Sequence, residues 1–109
     1  MVTATLDADA GEGAVQFTLT VENDGDEPLE LSFPDGQRAE FLAQADGETV
    51  WRWSDDQMFM QMLGSETIEP GGTATYEGVW EGPKPGTYDC RGEVVAEGHG
   101  IAAETTVSV

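Results

Sequence analysis

The chain has 109 residues, of which 22 are acidic and 4 basic, for a formal charge of −18. Four cations cannot offset the repulsion of a phosphate backbone, so direct nucleic-acid binding is excluded, and a lone cysteine, Cys90, excludes an internal disulfide. No stretch has the apolar length of a membrane span, and the first residues, M-V-T-A-T-L-D-A-D-A, lack the basic and apolar regions of a signal peptide, so a cytoplasmic protein is expected.

Leu, Ile, Val and Phe together make up only 21 of the 109 residues, a fraction that with this charge marks many disordered chains. Here the apolar residues alternate along the chain between turn signals, which points to a folded β protein instead. The carboxylates come singly and in pairs, and Lys84 is the sole lysine. That balance suits a protein of a salt-loving cell, whose ionic atmosphere screens self-repulsion. A competing reading, an acidic mimic of phosphate that captures a basic partner, requires the charge to gather on one face.

A first short strand is expected near Val2 to Asp7. Val15, Phe17, Leu19 and Val21 alternate with polar residues, which predicts a half-buried strand. Asn23-Asp24-Gly25-Asp26 reads as a turn, and Leu29, Leu31 and Phe33 then point one way. After Pro34-Asp35-Gly36, the run Arg38 to Ala45 presents Ala39, Phe41, Ala43 and Ala45 on one face. Asp46-Gly47 has the form of a hairpin turn, and Glu48 to Trp53 follows as a strand with Trp51 and Trp53 on a common face.

The period then changes. Ser54-Asp55-Asp56-Gln57 has the form of a capping box with Ser54 as N-cap, and Gly64 suits a C-cap, which predicts a short helical segment over Asp55 to Leu63. The rival reading is a strand in which Met58, Met60 and Met62 alternate. Beyond it, Glu69-Pro70-Gly71-Gly72 fits a type II turn with Gly71 at positive φ. Thr73 to Glu81 and Thr87 to Ala96 read as strands on either side of the stiff loop Gly82 to Gly86. Gly98-His99-Gly100 turns, and Ile101 to Val109 closes the chain. Roughly seven to nine short strands joined by such turns imply a β-sandwich.

The residues of catalysis are missing. His99 stands alone between two glycines with no orienting partner. Cys90 lies on the apolar register of its strand, where an inert buried thiol is expected. There is no nucleophile elbow, phosphate loop or Cys/His ligand spacing. Asn23-Asp24-Gly25-Asp26-Glu27 has calcium-ligand types, but its glycine comes third, unlike the calcium-binding helix-loop-helix pattern. No enzyme activity, metal or cofactor is expected.

The runs V-E-N-D-G-D-E-P-L-E-L-S-F, G-Q-R-A-E-F, G-E-T-V-W-R-W-S-D-D-Q-M-F-M-Q, I-E-P-G-G-T-A-T-Y and P-G-T-Y together resemble the BsuPI family over about Phe17 to Tyr88. Ala39-Glu40 stands where an aromatic-Asp pair is usual in that family. The resemblance implies an all-β, immunoglobulin-like antiparallel sandwich, here a single domain over residues 1–109, of haloarchaeal type. It also implies inhibition of an intracellular subtilisin-like serine protease. An inhibitor must offer about 800 Å² to its enzyme, usually with a rigid anchor. Two stretches qualify. Met58, Phe59, Met60, Met62 and Leu63 supply large apolar side chains, while Pro83, Lys84 and Pro85 form a stiff loop whose Lys84-Pro85 bond is a poor substrate mimic. The preferred contact is the methionine segment; the bland alternative is that it plugs one end of the core. A non-inhibitory interaction module and the acidic mimic are the other readings of function.

Overall fold

The computed structural model describes residues 2–59 and 63–109. Nine antiparallel strands appear among them: β1 (Val2–Gly11), β2 (Ala14–Asn23), β3 (Leu29–Phe33), β4 (Ala39–Ala45), β5 (Glu48–Arg52), β6 (Gly64–Ile68), β7 (Thr73–Glu81), β8 (Thr87–Val94) and β9 (Ala102–Ser108). They form a three-stranded sheet, β1-β2-β7, a four-stranded sheet, β5-β4-β8-β9, and a two-stranded ribbon, β3-β6. The two larger sheets face each other as a sandwich. The ribbon is joined to the rest by a bond from the Glu97 N–H to the Ser32 carbonyl at 2.8 Å.

Alternation sets which side chains go in. On β2, Val15, Phe17, Leu19 and Val21 are fully buried, while Gln16 and Glu22 face water. The opposite sheet answers with Phe41, Ala43, Tyr88, Cys90, Val94 and Val107, and the ribbon adds Leu31, Phe33 and Ile68. The turns follow their chemistry. Asp46 and Gly47 both take positive φ, 53° and 82°, as the expected tight hairpin requires. Gly71 has φ of 78°, and the Gly72 N–H closes the predicted turn on the Glu69 carbonyl at 2.7 Å.

Several sequence expectations change. The helical segment is a single 3-10 turn, Trp53–Asp56, that begins earlier and ends sooner than Asp55 to Leu63. Ser54 does not cap it: its hydroxyl is taken by the Glu40 carboxylate, and the Gln57 N–H bonds the Ser54 carbonyl at 3.2 Å. Gln57 to Phe59 and Leu63 adopt no regular structure, and Met60 and Met62 lie outside the described residues. Gly64 opens β6 opposite Phe33, where a Cβ would come within 2.5 Å of the Arg38 guanidinium. Because the strand stops at Arg52, Trp51 and Trp53 do not share a strand face, although both are half-buried against the core. The strand β6 had no signal in G-S-E-T-I, which carries one large apolar residue; it exists because β3 pairs with it from Leu29↔Ile68 to Phe33↔Gly64.

Each main sheet sets a phenylalanine opposite a glycine, Phe17↔Gly78 and Phe41↔Gly92. The glycines make room for the rings. A Cβ on Gly78 would come 2.7 Å from Phe41 Cδ2 and 3.2 Å from Trp53 Cδ1. Gly78→Ala is therefore expected to destabilise the fold by about 1–3 kcal/mol through overpacking, read as a lower urea midpoint. Gly11→Ala, where a Cβ meets open space, should stay within about 0.5 kcal/mol. Equal midpoints for the two variants would refute the packing argument.

Candidate functional site

β5 ends at Arg52 in one sheet and β6 begins at Gly64 in the ribbon, and the turn that follows β5 is held by a buried carboxylate. Glu40 is only 6% exposed and lies on β4. Its Oε1 accepts the Phe41 and Ser54 N–H groups, both at 3.1 Å. Its Oε2 accepts the Ser54 hydroxyl, lies 3.4 Å from Gln37 Nε2, and pairs with the half-exposed Arg52 at 3.8 Å. A buried charge is tolerable only with such partners. This anchor escaped sequence reasoning because a glutamate on the alternating register of a strand is ordinarily read as a wet-face residue.

Trp53, fixed behind Ser54, meets Phe41 edge-on at 6.2 Å and supports the Phe59 ring at 5.6 Å. Phe59 is thus half-buried, whereas its neighbour Met58 is 99% exposed and Leu63 is 83% exposed. Of the five candidate contact residues, the structure puts Met58 and Leu63 in water and ties Phe59 to the core; Met60 and Met62 fall outside the described residues.

The second candidate, Pro83-Lys84-Pro85, lies toward the opposite end of the sandwich, next to the β1–β2 turn, through a Gly82 N–H bond to the Gly13 carbonyl at 2.8 Å. Pro83 is half-buried, and Lys84 and Pro85 are exposed. The loop is braced from below: the Tyr88 hydroxyl donates to the Lys84 carbonyl at 2.6 Å, and Gly86 exchanges backbone bonds with Val109. The structure does not bring the two candidate stretches together.

A groove of about 530 Å³ lies next to Gln57, walled by Trp51, Trp53 and Gln57 on one side and by Gln16 with Glu77, Gly78, Val79 and Glu81 of β7 on the other. No sequence signal marked it, since it forms where one edge of each sheet comes to the same side of the sandwich.

The other singled-out residues have structural partners. Asn23 is buried, with its amide donating to the Glu27 and Ile68 carbonyls at 2.8 Å and its oxygen accepting the Gly25 N–H. It therefore organises the N-D-G-D-E turn from inside and is not free to face a cation. His99 is exposed and donates from Nε2 to the Glu30 carbonyl at 3.1 Å. Burial, with a lesser push from Asp89, raises the Cys90 thiol to about 11.

Residues 2–99 match the model of the BsuPI family, described as intracellular proteinase inhibitor. The chain belongs to the BsuPI family. No curated protein matches it. Among solved structures it is similar to a β-glucosidase from Listeria innocua in complex with glucose, at 10% identity and a TM-score of 0.48. That alignment covers all of this chain and 16% of the β-glucosidase chain. No helix among the described residues is long and apolar enough to cross a membrane.

Two outcomes are expected of this BsuPI-family chain. Ser54→Ala removes a hydrogen bond to a charged group and should cost about 1.5–3 kcal/mol in urea unfolding; an unchanged midpoint would mean that Glu40 does not hold the turn. A thiol raised to about 11 carries almost no thiolate at neutral pH, and it is buried. Iodoacetamide should therefore leave native Cys90 unmodified and alkylate it in urea, and free-thiol reactivity in the native protein would contradict this.

Proposed function

We propose that the chain inhibits a subtilisin-like serine protease inside the cell, without catalysis, by laying the segment Met58 to Leu63 against the enzyme. One observation carries this reading: a methionine left 99% exposed directly beside a ring held on the core by Trp53. Burying such a side chain in a partner is worth roughly 1.5–3 kcal/mol, and an anchored base lowers the ordering cost of binding. Met60, Met62 and Leu63 follow in the sequence as further apolar residues. The braced loop Pro83-Lys84-Pro85 is the alternative contact should the methionine segment not be the one used.

The cell we infer is a high-salt one, haloarchaeal in type, with the protein in its cytoplasm. Exposed carboxylates such as Asp9, Glu22, Glu48, Glu69, Glu81 and Glu104 occur on both main sheets and at both ends. Such scatter favours hydration of the whole surface over one-sided mimicry of phosphate.

Purified protein in molar KCl should slow a subtilisin-like protease stoichiometrically. Met58→Asp should weaken inhibition by about 30-fold or more, the effect of losing a contact worth at least 2 kcal/mol, with the unfolding midpoint unchanged. Inhibition retained in full by that variant would remove the segment from the interface. Absence of inhibition by the wild-type chain would favour a non-inhibitory interaction module. Separately, the unfolding midpoint should rise as KCl increases over the molar range, and greatest stability at low salt would contradict the halophilic reading.

A further inference from the structure

The outer edge of β7 is unoccupied by any strand among the described residues. Which of its backbone groups point outward follows from the bonds at its two ends. The Asn23 N–H bonds the Gly72 carbonyl and the Gly82 N–H bonds the Gly13 carbonyl, and both pairs continue the register that sets Phe17 opposite Gly78. In an antiparallel ladder the hydrogen-bonded pairs alternate with pairs whose groups point away. Even-numbered residues of β7 therefore bond β2, and Thr73, Thr75, Glu77, Val79 and Glu81 direct their N–H and C=O groups outward. The ribbon reaches the first half of β7, where the Tyr76 hydroxyl donates to Glu66 at 2.9 Å. From Glu77 to Glu81 the outward groups instead open onto the groove faced by Trp51, Trp53 and Gln57.

We propose that this groove is a docking site for an extended, lysine- or arginine-bearing segment of a partner protein, which adds to the sheet as a strand beside β7. Three features specify the occupant. The outward N–H and C=O groups of Glu77, Val79 and Glu81 are matched by another strand's backbone and by no compact ligand. Glu77 and Glu81 line the groove, and no lysine or arginine does so among the described residues, so a basic segment is favoured and an acidic one repelled. The half-buried Trp51 and Trp53 add aromatic surface to the groove, which attracts a guanidinium or ammonium group. The open stretch spans about five residues of strand, so the added segment is of similar length. Val79, 46% exposed, supplies an apolar contact at the middle. The site is distinct from the methionine segment and does not require that the partner be a protease.

The test uses the whole protein and a capped peptide of alternating valine and arginine, six residues long, with a valine-glutamate peptide as control. Binding of the valine-arginine peptide should quench or shift tryptophan fluorescence, weaken as KCl rises, and protect the Glu77, Val79 and Glu81 amides from hydrogen exchange. Methylating alternate peptide amides should abolish binding. Glu77→Lys with Glu81→Lys should weaken it about 10-fold or more, whereas Asp7→Lys with Asp9→Lys, the same charge change on the opposite edge strand, should not. No binding up to about 1 mM peptide, or binding without protection of those three amides, would overturn the proposal. So would equal loss in both lysine pairs, since that means non-specific charge attraction. Failure of protease inhibition leaves these readouts unaffected, so the two proposals stand or fall separately.

Discussion

A continuous run of aromatic rings holds the two sheets at their spacing. Tyr88 meets Trp80 at 4.9 Å, Trp80 stacks on Trp51 at 5.3 Å, Trp51 on Phe17 at 5.5 Å and Phe17 on Phe41 at 5.7 Å. Phe41 then meets Trp53, which carries Phe59. Seven of the nine aromatic residues of the chain belong to this run. A core short of aliphatic side chains needs that area, and each ring pair adds about 0.5–1.5 kcal/mol beyond its burial. The glycines opposite Phe17 and Phe41 are part of the same device, because the rings fill the space that side chains would otherwise take.

The run also connects the surfaces considered for function. At one end Tyr88 braces the carbonyl of Lys84; at the other Phe59 rests on Trp53, next to the exposed Met58. Phe59 and the Lys84 loop are therefore each footed on the core, which is what rigid presentation to a partner demands. Trp51 and Trp53 serve twice: they pack against the aromatic core and also line the groove beside β7. Glu40 completes the arrangement, since its carboxylate fixes the backbone between Arg52 and Ser54, where the chain leaves β5 and turns over the core.

Charge acts on a different scale from these contacts. The −18 formal charge is carried by side chains spread over both sheets, and the described ion pairs, such as Arg91–Glu93 at 3.6 Å, are largely surface ones of small value. The fold is thus held by rings, alternating strands and backbone ladders, while the carboxylates govern solvation and the sign of the partners the molecule tolerates. The two buried polar groups, Glu40 and Asn23, are exceptions that fix particular turns through several hydrogen bonds each.

Much of this molecule was legible from local pattern. Alternation placed Val15 to Val21, Leu31, Phe33, Phe41, Tyr88 and Cys90 inside, and Asp46-Gly47 and Pro70-Gly71 gave their turns, because strand period and positive φ are encoded residue by residue. The string around Trp51 and Trp53 carried the family, and the matched span of residues 2–99 agrees with it. What the local pattern could not decide was anything set by a distant partner. Ser54 read as a helix cap because its sequence neighbours suit one, but the hydroxyl is claimed by Glu40, 14 residues away. β6 has no intrinsic signal and is made by β3. The groove and the open edge of β7 exist only where two sheets end on the same side. Sequence alone determined the strands other than β6, the turns between them and the composition of the core; the tertiary structure decided β6 and which side chains that core left exposed, because long-range pairing chooses among partners that local chemistry leaves equivalent.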